Sequence, residues 1–179
     1  GRDFSVMPVA LEFLKAVNDN LGHAAGDTVL QKVASIMVDC TRSTDTVARV
    51  GGDEFVLIID SLVNRAKLED IAKRLIGQLE VPISYGDQLC RISGSIGTVL
   101  SPAGSQKDAA KLLNEADVAL YAAKRAGRAC HFFYDPGLDG GDLNEEVDAP
   151  SNTAPDVSEN ESSEPSGDAV TEALHRRSL

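Results

Sequence analysis

Residues 47–60 read VARVGGDEFVLIID, with Asp53 and Glu54 placed directly after Gly51 and Gly52. Adjacent carboxylates at a turn offer the oxygen donors that a hard cation takes. Glycines there permit positive φ and leave no Cβ in the way of a ring or phosphate that approaches the backbone. The plain alternative is a tight hairpin whose two acids are simply solvated.

The elements that must position this turn are legible on either side of it. VARV and EFVLIID are apolar runs joined through Gly-Gly, a hairpin pattern. Residues 4–11, FSVMPVAL, read as a buried strand, although Pro8 removes one ladder donor. Residues 12–19 read as a short helical turn and 18–27 as a loop rich in Asn, Gly and Asp. From Thr28 a helix follows, with Leu30, Val33, Ile36, Met37 and Cys40 on one face and Asp27 as its expected N-cap. NRAKLEDIAKRLIGQLE is an amphipathic helix, and VPISYGDQLCRISGSIGTVLS reads as a second hairpin that turns near Gly86. DAAKLLNEADVALYAAKRAG is a last helix, with Leu112, Leu113, Ala116, Leu120 and Ala123 expected inward and Gly127 as its C′ residue. ACHFFYD closes as a short strand. This order predicts an α+β layer, with helices packed on a mostly antiparallel sheet.

Composition narrows the function classes. The formal charge of the 179 residues is −11, from 17 bases and 28 acids, and residues 135–179 alone hold most of that excess. Residues 1–134 are thus nearly neutral and form the expected domain, while the acidic, Ser- and Pro-rich remainder is expected to be a disordered tail. An acidic chain without a basic patch has no general affinity for a nucleic acid backbone. No run is long and apolar enough to span a membrane, so no membrane contact is expected from this segment. Cys40, Cys90 and Cys130 lie far apart, which fits buried thiols in a reducing compartment. The expected location is cytoplasmic, including the case of a cytoplasmic part of a larger, membrane-anchored sensor.

The run RVGGDEF resembles the signature of the GGDEF domain, and three further stretches resemble the same family in the same order. These are FLKAVNDNLGHAAGD, SGSIGTVL and ADVALYAAKRAGR. The family's opening helix has no counterpart here, so the resemblance covers about three quarters of such a domain. It implies a palm-like fold akin to nucleotide cyclases and polymerases. It also implies diguanylate cyclase activity: a homodimer holding two GTP and Mg²⁺ (or Mn²⁺), condensed to cyclic di-GMP and pyrophosphate. Under this resemblance Asp53 and Glu54 are the catalytic acids, with Asp53 binding metal, and Gly51 and Gly52 approach the nucleotide. Asn18 and Asp27 match the guanine-reading pair, and Lys15, Lys124 and Arg128 match triphosphate-binding positions. Arg42 and Asp45 of RSTD match the RxxD inhibitory site for product.

One position departs from the pattern. Where the family has Asp-x-Asp on its first strand, this chain has Ala10, Leu11 and Glu12. Alanine has no donor atom; Leu11 can offer a backbone carbonyl to the metal, and Glu12, on the strand face of position 10, is a possible cation ligand whose extra methylene lets it reach with a different geometry. Leu14 also replaces the family's Phe. The expectation is a cyclase with activity strongly reduced or lost. The alternative is a degenerate module that binds GTP or cyclic di-GMP as a regulatory receptor. A structural dimerisation remnant that binds neither is the third reading.

Overall fold

In a computed structural model the described residues are 1–138, so nearly all of the expected acidic tail lies outside them. The described chain runs β1 (Phe4–Glu12), α1 (Leu14–Leu21), α2 (His23–Asp39), β2 (Thr46–Gly51), β3 (Glu54–Asp60), α3 (Arg65–Leu79), β4 (Ile83–Tyr85), β5 (Gln88–Cys90), β6 (Ser93–Ser101), α4 (Ala109–Arg125) and β7 (His131–Phe133). Five strands form one sheet in the order β2-β3-β1-β6-β7, and β4 with β5 forms a separate two-stranded hairpin. Only the β6–β7 pair is parallel. The sheet with its helices is the α+β, palm-like arrangement.

The central place of β1 explains its near-continuous apolar sequence, since both of its faces are covered. Met7, Val9 and Leu11 face a core shared with Phe55, Leu57 and Ile59 of β3 and with apolar residues of α2 and α3. Val6 points the other way and meets Val99, Leu112 and Ala116 beneath α4. By strand alternation Ala10 and Glu12 lie on this α4 face as well. Pro8 keeps its partner Val56 on β3, but the β1–β6 ladder lapses between the Val6–Val99 and Val9–Ile96 pairs. The missing proline N–H faces that side, which is how β1 accommodates it.

Gly97 sets how closely α4 sits. A Cβ built there would lie 2.4 Å from Ala116 O and from Leu120 N, so the helix rests backbone-to-backbone on β6. Two helix starts carry side-chain caps: Asn64 accepts from Lys67 N at 3.1 Å in α3, and Asp108 from Lys111 N at 2.7 Å in α4. Each cap is worth about 1 kcal/mol.

Several expectations are corrected. Residues 18–27 are not a loop: α1 extends to Leu21 and α2 begins at His23 behind Gly22, whose φ is +83°. Asp27 is therefore inside α2 and does not cap it. The second hairpin covers only β4 and β5, and β6 joins the main sheet. Leu113, expected inward, is 45% exposed because it falls on the outer edge of α4's apolar stripe. Cys40, Cys90 and Cys130 are free thiols, the first two buried.

Candidate functional site

The β2–β3 turn is held from within. Arg49 donates from Nε (3.0 Å) and from Nη2 (2.7 Å) to the carbonyl of Gly52. Gly52 has φ +35°, a region L side chains rarely adopt, and a Cβ on Gly51 or Gly52 would meet nothing within 4 Å. The tip is therefore open to an incoming molecule. Asp53 and Glu54 are both exposed there.

β1 is tied to this tip by the Leu11 amide, which donates to Asp53 O at 2.9 Å. The register puts Ala10 opposite Glu54 on one side and opposite Ser95 on the other. Ala10 is only 2% exposed and brings a methyl group to the place beside the acids. Glu12 is buried too, at 7% exposure, and both of its oxygens are engaged. Oε1 accepts from Ser95 Oγ at 2.6 Å, and Oε2 pairs with Arg128 Nε at 3.1 Å. The expectation that Glu12 reaches for a cation gives way to this arrangement. Among the described residues no group of three or more His, Cys, Asp or Glu is placed to hold a metal ion.

The start of α1 adjoins the same corner. Phe13, its N-cap, has φ +70°, and neither a side-chain cap nor an acid sits in the first turn, where Lys15 is exposed. A left-handed Phe costs about 1–2 kcal/mol, and the uncapped amides there favour an anion. One turn on, the Asn18 amide lies so close to Gly26 that a Cβ there would meet Oδ1 at 1.8 Å. This contact brings Asn18 beside the start of α2, where Asp27 is exposed.

α4 supplies the basic side. Lys124 is half-buried, and Arg128 follows the helix end on a run of left-handed residues, Gly127 (φ +115°), Arg128 (+63°) and Ala129 (+50°). Asp117, one helical face with Lys124, was missed by sequence reasoning. Although solvent reaches it, its carboxyl is pushed up, first by partial desolvation and then by the charge of Glu54, against an opposing pull from Lys124. Asp117 thus feels the charges of Glu54 on the hairpin and of Lys124 on its own helix. It lies in the ADVALYAAKRAGR stretch that resembles the family, but nothing local in that stretch ties it to the hairpin. Ser95, also missed, is legible only through its pairing with Glu12. The Cys130 thiol is likewise pushed up, by burial and then by the charge of Glu12.

Arg42 and Asp45 stand apart from this group. Asp45 Oδ2 accepts from Arg42 N at 2.7 Å and Oδ1 from Asp60 N at 3.0 Å, while Arg42 stays exposed. Asp60 ends β3 and Glu54 begins it, which separates the two sites by roughly 20 Å at ~3.3 Å per residue. A cleft of about 640 Å³ between α2, α3 and β4 shares none of these residues; Lys32, Asp39 and Arg74 line it.

Residues 1–130 match the family profile described as diguanylate cyclase, GGDEF domain. The chain is 38% identical over 137 residues to MucR of Pseudomonas aeruginosa, a bifunctional diguanylate cyclase/cyclic di-GMP phosphodiesterase, covering 76% of this chain and 20% of MucR. It is 40% identical over 125 residues to the diguanylate cyclase TpbB of the same species, covering 69% of this chain and 28% of TpbB. The chain thus spans less than a third of the length of either relative. The solved GGDEF domain of TpbB superposes with a TM-score of 0.69 at 36% identity, over 75% of this chain and 83% of that one.

Proposed function

The chain belongs to the GGDEF diguanylate cyclase domain family, and from that premise we propose that its hairpin corner is a GTP site for cyclic di-GMP synthesis, weakened by Ala10. In the proposed reaction the ribose 3′-hydroxyl of one GTP attacks the α-phosphorus of a GTP held by a second subunit. A P–O bond forms, the bond to the β-phosphate breaks, and pyrophosphate leaves with the hydroxyl proton released. Repetition in the other direction closes the ring, so a homodimer is required.

In this reading the residues of the chain bind and orient. Asn18 and Asp27 read the guanine edge, an amide and a carboxylate that adenine cannot satisfy. The Gly51–Gly52 tip gives the nucleotide clearance. Lys15, Lys124 and Arg128 neutralise the triphosphate, whose negative charge they bring into line for displacement. Diguanylate cyclases of this family are generally divalent-metal dependent. The donors here suit such an ion poorly: Asp53 with Glu54 beside it and the Leu11 backbone remain, Ala10 offers nothing, and Glu12 is engaged elsewhere. A Mg²⁺ site keeps few protein ligands, so the loss of one carboxylate weighs heavily.

The observation that carries this reading is the register of Ala10 against Glu54, beside the Leu11–Asp53 tie. Ala10 lies beside the hairpin acids, and in this reading it leaves a methyl group where the family has a carboxylate. Incubation of purified chain with GTP and Mg²⁺ or Mn²⁺ tests it: slow or absent cyclic di-GMP formation is expected, and near-normal turnover sinks the impairment.

A second reading is favoured by the separate RSTD site. There Asp45 is fixed by two backbone amides and Arg42 is exposed, so in this reading its guanidinium is the group that meets a guanine. In that case the module is a cyclic di-GMP receptor that regulates an attached domain. Affinity for cyclic di-GMP that is lost in Arg42→Ala, without turnover, supports it; unchanged affinity refutes it. In both readings residues 1–134 form the working domain and the location is cytoplasmic. No helix among the described residues is long and apolar enough to cross a membrane.

A further inference from the structure

We infer that Glu12 is a positioning residue that holds Arg128 for the nucleotide's phosphates. The inference rests on the reading above, in which Arg128 faces the triphosphate. Its observations are independent of that reading. Glu12 is 7% exposed and Ser95 0%, so their 2.6 Å hydrogen bond is fully enclosed. The other carboxylate oxygen meets Arg128 Nε at 3.1 Å, and the Arg128 side chain is only 16% exposed. A cation ligand needs an accessible oxygen aimed at the ion, and Glu12 has neither oxygen disposed that way.

The gain from such a hold is conformational. Arginine has several rotatable bonds, and freezing them on binding opposes affinity. A guanidinium fixed beforehand through Nε has its planar fork oriented before the ligand arrives, and that preorganisation strengthens the complex. The backbone is set in the same way, because Arg128 sits between Gly127 and Ala129 in the left-handed region. Two sides of the corner are thereby indexed to one strand. Leu11 ties β1 to the hairpin at Asp53 O, and the next residue, Glu12, ties β1 to the end of α4 and, through Ser95, to β6. A shift of β1 moves the acids and the phosphate-facing base together.

NMR-monitored titrations of the whole chain with GTP and with guanosine, in EDTA and again with Mg²⁺, test the assignment. Glu12→Gln keeps the shape and the Ser95 contact but removes the charge. It is expected to weaken GTP about tenfold, the scale of one charge-assisted hydrogen bond, and to leave guanosine unchanged. Arg128→Ala is expected to weaken GTP at least as much, and the double variant no further than Arg128→Ala alone. Ser95→Ala, a smaller change that guards against misfolding of the first variant, should weaken GTP in the same direction by less. Equal losses for GTP and guanosine, additive losses in the double variant, or a GTP affinity indifferent to Arg128→Ala would overturn the inference while the GTP site stands. A loss seen only when Mg²⁺ is present would make Glu12 a cation ligand and overturn it too. Wild-type chain that binds neither GTP nor guanosine removes the proposed site itself, and the inference with it.

Discussion

Restoring a carboxylate at position 10 is the sharpest perturbation available. Ala10 is 2% exposed, and its cross-strand neighbour on the hairpin side is Glu54. Cβ atoms of directly opposed residues lie about 5 Å apart. Two like charges at that distance repel by about 3 kcal/mol at an effective dielectric of about 20. In EDTA, Ala10→Asp should therefore cost about 2–4 kcal/mol, which a domain of ordinary stability, about 5–15 kcal/mol, survives. A divalent ion reverses the sign of the local interaction. At tenfold excess over its Kd, an ion that binds only the folded state returns about 1.4 kcal/mol. For a chain of this size that is a rise in Tm of about 3–5 °C on adding Mg²⁺. Scanning calorimetry with and without Mg²⁺ reads this rise, and chromatographic quantitation of cyclic di-GMP reads turnover. The variant should show both, and the wild type little of either. A variant that loses stability in EDTA, regains none with Mg²⁺ and makes no product refutes the idea that a missing ligand at position 10 is the defect.

Other perturbations test the frame around the site. Gly97→Ala forces a Cβ against the backbone of α4, so a loss of about 2–3 kcal/mol is expected. Urea unfolding measures it, and a cost under 0.5 kcal/mol means that the helix is not seated on β6 as described. Asn18→Ala should narrow the preference for GTP over ATP in competition binding by at least tenfold; an unchanged ratio removes Asn18 from base recognition. His131, hydrogen-bonded to Thr98 Oγ1 at 2.9 Å, is pushed down to about 4, by burial first, with Lys73 adding to the depression and Glu69 opposing it. The folded state thus keeps it neutral while the unfolded chain protonates near 6.5, so this contribution is complete above about pH 6.5 and is lost as pH falls toward 4. It amounts to about 2 kcal/mol once partial solvent access is discounted. His131→Phe should flatten the difference in unfolding free energy between pH 6.5 and 4.5; a slope equal to wild type refutes the assignment.

The sequence by itself determined what depends on near neighbours. The apolar run of β1 announced a strand covered on both faces, and Gly51-Gly52 between two apolar runs announced the hairpin. The stripes of α2 and α4 showed their inward faces with one error, Leu113. Ala10 stood out among the matched motifs, as Leu14 did, because residue type at a motif position needs no coordinates. Start signals misled at α2, where Asp27 has the chemistry of a cap but the helix begins earlier, at His23 behind Gly22.

Only the tertiary structure decided which side chains meet. Glu12 and Ser95 are 83 residues apart, and no spacing rule joins them. Periodicity reports which face a residue occupies; it says nothing of what another strand or helix brings to that face. So Glu12, a candidate cation ligand by strand alternation, became the partner of Arg128 once the end of α4 was laid over β1. Asp117 joined the corner in the same way, and the RSTD pair was set apart from it by the length of β3.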